Sequence, residues 1–512
     1  MSLTLNLPPL RTDGATLETR PAAVARRLEE SMRLDPIDAA RAMADALASA
    51  NQRSMPHAHR LGMAEQYWAA AETLWPKLEA GFARAVHPLA ARALEAAKNA
   101  IGLACELSVA NKRLLVRQSE KRFVLGGPRQ LAALLHRSLQ ASARVLVNSY
   151  QSYAPVPPKT WLDAHAIYAF ARERGLHQHA VAGDEPDATP ERAYLQSLLL
   201  ALANPYGFLQ GELALIIRCA RAACQWATLT DVPPVHRLAK AVAIIPVGHD
   251  FPPFAANKGG AIEGSKIYLL TFDLAFELQA QLQALEAGGP LPPDIDNRAD
   301  ARAHYIATLK RLLRQWAIPP ARQFNRVPSR ARVAICPGLP AVWQYTRSVP
   351  GEALAASAPP MTQCQVLNHT PAGYALRQTE GAPATLRIGE LVAVRVEGRT
   401  GMQVVVVRWF RNTLKGSALE FGCELLSERP EAAVARAEDG DAAHKTPVIV
   451  LAEDAAVPGH EGLPPQLIVP TGAFGIEQAV QIERDTGTSL GVLTKLVEQG
   501  PGFELFDYTA VD

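Results

Sequence analysis

The stretch Arg322-Gln-Phe-Asn-Arg326-Val-Pro-Ser-Arg330-Ala-Arg332 lies where a long helical pattern ends and a β-type pattern begins. Between Ala301 and Gly351 the sequence has no acidic residue. The same interval holds many basic residues: Arg302, Lys310, Arg311, Arg314, Arg322, Arg326, Arg330, Arg332 and Arg347. Positive charge without compensation is typical of a surface that meets an anion, such as a nucleotide, a nucleic acid or a membrane.

The composition is that of an ordinary globular protein. The 512 residues are 48% apolar and 20% charged, with a net charge of only +2, so the basic character is local and general nucleic-acid binding is not expected. None of the scattered cysteines forms a C-x-x-C pair (Cys105, Cys219, Cys224, Cys336, Cys364, Cys423). This spacing argues against a disulfide framework or a zinc ribbon and favours a reducing compartment.

No membrane segment is expected from the apolar pattern. The longest apolar runs are far shorter than the roughly 20 residues that span a bilayer, and residues 1–14 lack the pattern of a secretory signal. We therefore expect a cytoplasmic protein without a membrane span.

The first half of the chain has helical periodicity. Ala, Leu, Arg and Glu recur at helical spacing up to about Trp226, most clearly between Leu89 and Lys121. The pattern predicts an all-helical domain, whose main role is expected to be that of a packed scaffold. Residues 241–247 and 266–272 then have β-type composition, followed by a helical segment, which predicts a small α/β appendage.

Short strand patterns follow the basic stretch, separated by turn residues. They cover Arg332–Cys336, Thr362–Leu367, Tyr374–Gln378, Leu391–Val396, Met402–Phe410 and Leu419–Leu425 and predict a small barrel or sandwich. The charged, Ala-rich segment Glu428–Lys445 predicts a helix and a flexible link. Four further β-type runs follow, at Pro447–Leu451, Gln466–Val469, Glu477–Ile482 and Leu490–Val497.

Two short motifs flank the first of these strands. The first is Arg322-x-x-x-Arg326-Val-Pro and the second is Asn368-His-Thr370-Pro-Ala-Gly373. Together, and in this order, they resemble the R-x-x-x-R and [D/N]-x-[S/A]-x-x-G motifs of the PilZ domain, a bacterial receptor for cyclic di-GMP. Thr370 stands where that family usually has Ser or Ala. The connection between the motifs is longer than usual and suggests an inserted loop at Ser348–Pro360.

The resemblance covers roughly residues 316–430 and implies a ligand and its site. The ligand would be cyclic di-GMP, held by Arg322, Arg326, Asn368, Thr370 and Gly373, with Arg330 as an additional candidate. It implies no catalytic residue, no metal and no other cofactor.

The chemistry of these residue types agrees with such a ligand. A guanidinium can hold a phosphodiester or a guanine edge through two hydrogen bonds and can also stack on a purine. Asn368 and Thr370 offer polar groups to a guanine, and Gly373 permits a positive φ. Two alternatives stay open. Arg330 and Arg332 can assist the ligand or only shield an edge strand, and Trp409 can stack on a guanine or fill the barrel core.

The predicted fold class is a multidomain α+β protein. An N-terminal all-helical domain with a small α/β appendage precedes a PilZ-like antiparallel β-barrel and a β-rich C-terminal tail. The predicted divisions are 1–19 as an extended or disordered N-terminus, 20–230 as the helical domain, 231–298 as the α/β appendage and spacer, 299–433 as the barrel with its leading helix, and 434–512 as a linker and β-rich region.

The leading functional interpretation is a non-enzymatic receptor for cyclic di-GMP that signals to a protein partner by domain reorientation. The alternative is a PilZ-like adaptor without nucleotide binding, which scaffolds a type IV pilus or another motility machine. No nucleophile motif, metal cluster or phosphate loop supports an enzyme. The sequence does not name the output partner.

Overall fold

A computed structural model describes residues 3–11, 18–83, 85–120, 127–182, 187–234, 241–256, 263–293, 295–317, 324–347, 359–380, 384–399, 401–412, 419–438, 445–451 and 464–511. Within these ranges the chain forms two compact units. The first comprises residues 1–85 and 91–322, and the second comprises residues 86–90 and 323–512. Residues 318–323, where the chain passes from one unit to the other, lie outside the described ranges. Most of the predicted loop Ser348–Pro360 also lies outside them.

The first unit is mainly helical, as predicted. Its helices are α1 (Pro21–Met32), α2 (Pro36–Asn51), α3 (His57–Glu79), α4 (Ala91–Ser119), α5 (Gly127–Gln151), α6 (Thr160–Glu173), α7 (Pro190–Leu202), α8 (Leu213–Ala223), α9 (Phe272–Glu286) and α10 (Ala299–Trp316). Short 3₁₀ helices occur at Pro205–Gly207, Gln210–Glu212 and Cys224–Trp226. Asp35 caps α2 by accepting a hydrogen bond from the Ile37 amide at 3.1 Å, and Pro36 occupies the first helical position.

The α/β appendage is a four-stranded antiparallel sheet in the order β1 (Thr228–Thr230), β4 (Lys266–Leu270), β2 (Val242–Pro246) and β3 (Phe254–Ala255). Its inward residues Ile245, Ile267 and Leu269 belong to the same apolar core as the helices. Helix α10, which the sequence interpretation placed with the barrel, contributes Tyr305, Leu309, Leu312 and Trp316 to this core. The domain bounds nevertheless stay a prediction, because only isolated fragments would test them.

One residue of the appendage caps a helix from a distance. The Asp250 carboxylate accepts hydrogen bonds from the backbone amides of Lys159 at 2.6 Å and of Trp161 and Leu162 at 3.1 Å. These amides lie at the N-terminus of α6, where helices have unsatisfied donors. A cap from a distant part of the chain has no local sequence signal.

The second unit contains two antiparallel barrels. The first sheet runs in the order β5 (Val327–Pro328), β7 (Thr362–Thr370), β6 (Arg332–Pro337), β9 (Leu391–Val396), β10 (Gln403–Asn412), β11 (Leu419–Ser427) and β8 (Gly373–Glu380). Pairing between β7 and β8 closes six of these strands into a barrel. Helix α11 (Leu339–Arg347) lies between β6 and β7 in sequence.

The second barrel is closed in the order β12 (Glu431–Ala437), β13 (Thr446–Leu451), β14 (Gln466–Val469), β17 (Phe503–Val511), β16 (Gly487–Gly500) and β15 (Ala479–Arg484). The prediction of a helix within Glu428–Lys445 is wrong because β12 occupies much of this segment. Pairing of β12 with both β13 and β15 overrides the helical propensity of its alanines. The small side chains of Ala433 and Ala435 are buried in the interior of this barrel.

A shared apolar core joins the two barrels of the second unit. Val342 and Tyr345 of α11 pack in one cluster with Val404 and Val406 of β10 and with residues of the second barrel, namely Ile449, Leu451, Ile468, Phe503 and Leu505. Trp343 also donates a hydrogen bond from its indole nitrogen to the Ala433 carbonyl at 2.8 Å. The two barrels are therefore parts of one packed body.

A short segment from between α3 and α4 in sequence belongs to this unit. His87 forms an isolated β-bridge with Leu386, and its ring stacks on Phe410 with centroids 5.6 Å apart. Asn412 lies 2.9 Å from the His87 ring nitrogen Nδ1. The chain therefore passes between the two units at residues 85–86, 90–91 and 322–323.

Candidate functional site

The two sequence motifs meet at neighbouring strands of the first barrel. In the antiparallel pair of β5 and β7, Pro328 lies opposite Asn368 and Val327 opposite His369. Extending this register by one residue sets Arg326 opposite Thr370. Residues directly opposite each other lie on the same face of a sheet. Arg326 is exposed, whereas Asn368 and Thr370 are half-buried. Arg322 lies outside the described residues.

A row of residues crosses five strands at this point. Trp409 on β10 pairs with Gly422 on β11, which pairs with Ala375 on β8. Ala375 pairs with Asn368 on β7, which pairs with Pro328 on β5. The two small residues leave room on this face of the sheet for the indole of Trp409.

The Trp409 indole packs over Gly422 in this row. A Cβ atom added to Gly422 would lie 1.8 Å from Trp409 Nε1, so the indole occupies the space that glycine leaves open. The indole is half-buried and not enclosed in the core. Of the two roles that the sequence left open, this placement favours contact with a flat ligand.

Gly373 is required by the backbone of the barrel. Its φ is +149°, and an added Cβ would lie 2.0 Å from the Cys423 carbonyl oxygen on β11. The Thr370 hydroxyl oxygen accepts a hydrogen bond from the Ala372 amide at 3.2 Å. This bond stabilises the turn that precedes Gly373. No described residue is hydrogen-bonded to the Asn368 side chain, which therefore has its donor and acceptor groups available.

We expect Gly373→Ala to lower the free energy of unfolding by about 2–3 kcal/mol, because the methyl group must displace β11 or strain the turn. Gly398→Ala is the matched control: its φ is +78°, but nothing lies within 4 Å of an added Cβ. Urea unfolding followed by circular dichroism measures both changes. A Gly373→Ala variant no less stable than the control would contradict the close backbone approach.

The structure divides the basic stretch into two groups. Lys310 pairs with Glu286 at 2.6 Å, Arg311 pairs with Glu212 at 3.1 Å, and Arg302 donates to the Leu285 carbonyl at 3.2 Å. The prediction that this charge is uncompensated is therefore wrong for Lys310 and Arg311, whereas the partner of Arg302 is a neutral carbonyl. Their partners are distant in sequence, which the local composition could not reveal.

Arg330 and Arg332 remain exposed, and no described carboxylate pairs with either. The suggestion that they shield an edge strand is wrong for Arg332. Strand β6 lies inside the sheet, between β7 and β9. Arg330 lies in the connection from β5 to β6, and its side chain is exposed like that of Arg326.

Other arginines near the site are neutralised. Arg377 pairs with Glu420 at 2.6 Å, and Arg408 pairs with Glu424 at 2.5 Å and with Glu498 of the second barrel. Burial alone would lower the pKa of Arg408, but hydrogen bonds and charge from the two glutamates raise it above its ordinary value. This half-buried network ties the barrels together, and sequence inspection did not identify it.

Comparison with known protein families covers most of the chain. Residues 22–234 match the model described as the N-terminal domain of the cyclic-di-GMP receptor FimW, and residues 344–432 match its middle PilZ domain. Residues 432–511 match the FimW C-terminal beta-barrel domain. The predicted resemblance to the PilZ-domain family of cyclic di-GMP receptors is confirmed for residues 344–432. The PilZ match includes Asn368, Thr370 and Gly373 but begins after the arginine motif.

One full-length relative is the cyclic-di-GMP receptor FimW of Pseudomonas aeruginosa. It is 23% identical over 551 aligned residues, which cover 93% of this chain and 88% of the relative. The predicted fold class is confirmed: a helical N-terminal part precedes a PilZ barrel and a second β-barrel, as in this family. The predicted β-rich tail is the second barrel.

Two further findings concern the described part of the chain alone. No helix there is long and apolar enough to cross a membrane. No group of three or more His, Cys, Asp or Glu side chains there could hold a metal ion.

Proposed function

We propose that this chain is a non-enzymatic cytoplasmic receptor that binds cyclic di-GMP on the face shared by β5 and β7. The observation that carries the proposal is the register that places Pro328 opposite Asn368, because it brings the R-x-x-x-R segment beside the N-x-T-x-x-G segment. The name of the Pseudomonas relative supports the same ligand. Arg322, Arg326 and Arg330 would hold phosphodiester or guanine acceptor atoms.

The remaining residues of the site would complete the recognition of the base. Asn368 and Thr370 would contact a guanine edge, and the exposed part of the Trp409 indole, which covers Gly422, would stack on a purine ring. Gly373 would position the turn and not contact the base through a side chain.

The location of the site can be tested without mutation by hydrogen–deuterium exchange. With saturating cyclic di-GMP we expect slower exchange in peptides that cover residues 324–332 and 366–374, because bound ligand restricts their opening. Peptides from β14 in the second barrel serve as the internal control. Protection confined to other regions would place the ligand elsewhere.

We further propose that binding reorients the two units and so signals to a protein partner. The R-x-x-x-R motif lies in the stretch of sequence where the division between the units falls. A ligand held by both arginines would fix the backbone between them, which converts binding energy into a preferred orientation. Pilus or motility machinery is the partner class that we propose for the output.

Small-angle scattering with and without saturating cyclic di-GMP tests the reorientation. We expect a change in the radius of gyration and in the interatomic distance distribution, because the ligand selects one arrangement of the units. Arg326→Ala at the same ligand concentration is the control, and its scattering profile should equal that of the ligand-free protein. Identical profiles in a wild-type sample proven to be ligand-bound would contradict reorientation.

A further inference from the structure

Two arginines from different helices meet at the loop between α2 and α3. Arg60 of α3 donates a hydrogen bond from Nη2 to the Arg53 carbonyl at 2.7 Å. Arg117 of α4 donates one from Nη1 to the Met55 carbonyl at 2.9 Å. Since the two accepting carbonyls are only two residues apart in this loop, the two guanidiniums approach each other.

A third guanidinium, that of Arg113, lies beside them. Arg113 is four residues before Arg117 on α4, so both side chains project from one face of this helix. Arg113 donates a hydrogen bond from Nη2 to the Pro8 carbonyl, whereas its buried Nε atom has no acceptor among the described residues. Arg60, Arg113 and Arg117 together form an arginine cluster on the surface of the helical unit.

The positive charge of the arginine cluster is not balanced by a neighbouring acid. No described carboxylate forms an ion pair with any of its three guanidiniums. The Glu106 carboxylate accepts a hydrogen bond from Asn51 Nδ2 at 2.8 Å, and Asn51 Oδ1 accepts one from Arg60 Nη1 at 3.5 Å, so the asparagine separates the two charges. Arg60 is only 6% exposed. Its burial, together with the charges of Arg113 and Arg117, lowers its pKa to about 10.

The contacts with carbonyl groups do not account for this concentration of charge. A guanidinium has five N–H donors, and each arginine of the cluster uses only one or two of them on described acceptors. A neutral donor could hold the same carbonyl without bringing like charges together, which is unfavourable in a partly buried place. The remaining donors suit an anion with several oxygens, because guanidiniums form charge-assisted and often paired hydrogen bonds with phosphate.

We propose that the arginine cluster is a binding site for a phosphate group, held by Arg60 at its buried end and by Arg117 at its exposed end. Arg113 has intermediate exposure, so the cluster is open to solvent on one side only. Arg60 is the fourth residue of α3, and the N-terminus of this helix has no side-chain cap. The positive end of the helix dipole therefore also favours an anion here. The site belongs to the first unit and does not depend on the proposed dinucleotide site.

Thermal unfolding of the full-length protein with inorganic phosphate as the probe tests the site. Relative to potassium chloride at equal ionic strength, phosphate at tenfold excess over its dissociation constant should raise the Tm by about 2 °C. Arg117→Met should lose most of this rise, and its exposed position makes a folding defect unexpected. Arg113→Met should lose most of it as well, because it removes a second guanidinium from the cluster.

Lys98→Met is the matched control. Lys98 is exposed on the same helix, about four turns before Arg113, and its substitution also removes one positive charge. This variant should keep the full rise in Tm. An equal loss in the Lys98 variant would mean that net charge attracts the phosphate, and it would overturn the site. No rise in the wild-type protein, or an undiminished rise in Arg117→Met, would overturn it too.

Once phosphate binding depends on the cluster, two phosphate esters identify the source of the group. A larger rise in Tm with GMP than with inorganic phosphate indicates a free nucleotide-type ester. A larger rise with a phosphoserine peptide indicates a phosphorylated protein segment. Either result supports the site, since both ligands present the same group to the three guanidiniums.

Discussion

Replacing Arg322 and Arg326 together by alanine is expected to weaken cyclic di-GMP binding by roughly 100-fold to 10,000-fold. Hydrogen bonds to a charged group contribute about 1.5–3 kcal/mol each, so the loss of two corresponds to about 3–6 kcal/mol. Each single alanine variant should bind at least about tenfold more weakly than the wild type. Arg326→Lys should not restore binding, because it keeps the charge but loses the planar fork.

A matched double variant separates this effect from the loss of general positive charge. Arg314→Ala with Arg387→Ala also removes two exposed arginines, one of them from the same acid-free stretch. Isothermal titration calorimetry should give this control the affinity of the wild type. Equal losses in both double variants would mean that net charge, and not the motif, determines binding.

Lys112→Met is expected to lower the free energy of unfolding of the helical unit by about 3–5 kcal/mol. The Lys112 Nζ atom lies 2.7 Å from Asp163 Oδ2, and the two side chains are only 9% and 4% exposed. Asp163 also accepts a hydrogen bond from the Asn6 amide at 2.9 Å, which anchors the extended N-terminal segment. The substitution would leave a buried carboxylate without its counter-charge.

Urea unfolding followed at the helical circular dichroism band measures this loss. Lys98→Met is the matched control, since Lys98 is exposed on the same helix, and it should change stability by less than about 0.5 kcal/mol. Lys112→Met combined with Asp163→Leu should regain much of the stability, because the pair is then replaced by apolar groups. A single variant as stable as the Lys98 control would contradict the structural importance of this pair.

Local sequence patterns were sufficient for much of the barrel. The predicted strand Leu391–Val396 agrees with β9 at both ends, and Gln466–Val469 agrees with β14. Both are short β-branched or apolar runs whose neighbours are turn residues, so local preference and tertiary burial act in the same direction. The helical region was predictable for the same reason, from its periodic apolar spacing.

The features that the sequence did not reveal depend on distant parts of the chain. Strand β12 has helix-forming alanines, and only its two partner strands fix its conformation. The segment around His87 joins the second unit through one β-bridge and one ring stack, which leave no periodic signal. Lys310 and Arg311 appeared uncompensated because their glutamate partners lie elsewhere in the sequence.

The candidate site was partly predictable. The resemblance to the PilZ motifs identified Arg326, Asn368, Thr370 and Gly373, and their roles as ligand contacts stay a prediction. The packing of the Trp409 indole over Gly422 could not be found from sequence, because it depends on the register of β10 and β11.

The most direct test is a calorimetric titration of the purified full-length protein with cyclic di-GMP, with GTP and cyclic di-AMP as controls. A receptor with the proposed site should give a saturable isotherm with cyclic di-GMP and none with the other two nucleotides. The absence of binding heat with cyclic di-GMP, at more than one temperature and in a folded sample, would contradict the receptor function. That result would favour the PilZ-like adaptor that scaffolds a pilus or motility machine without nucleotide.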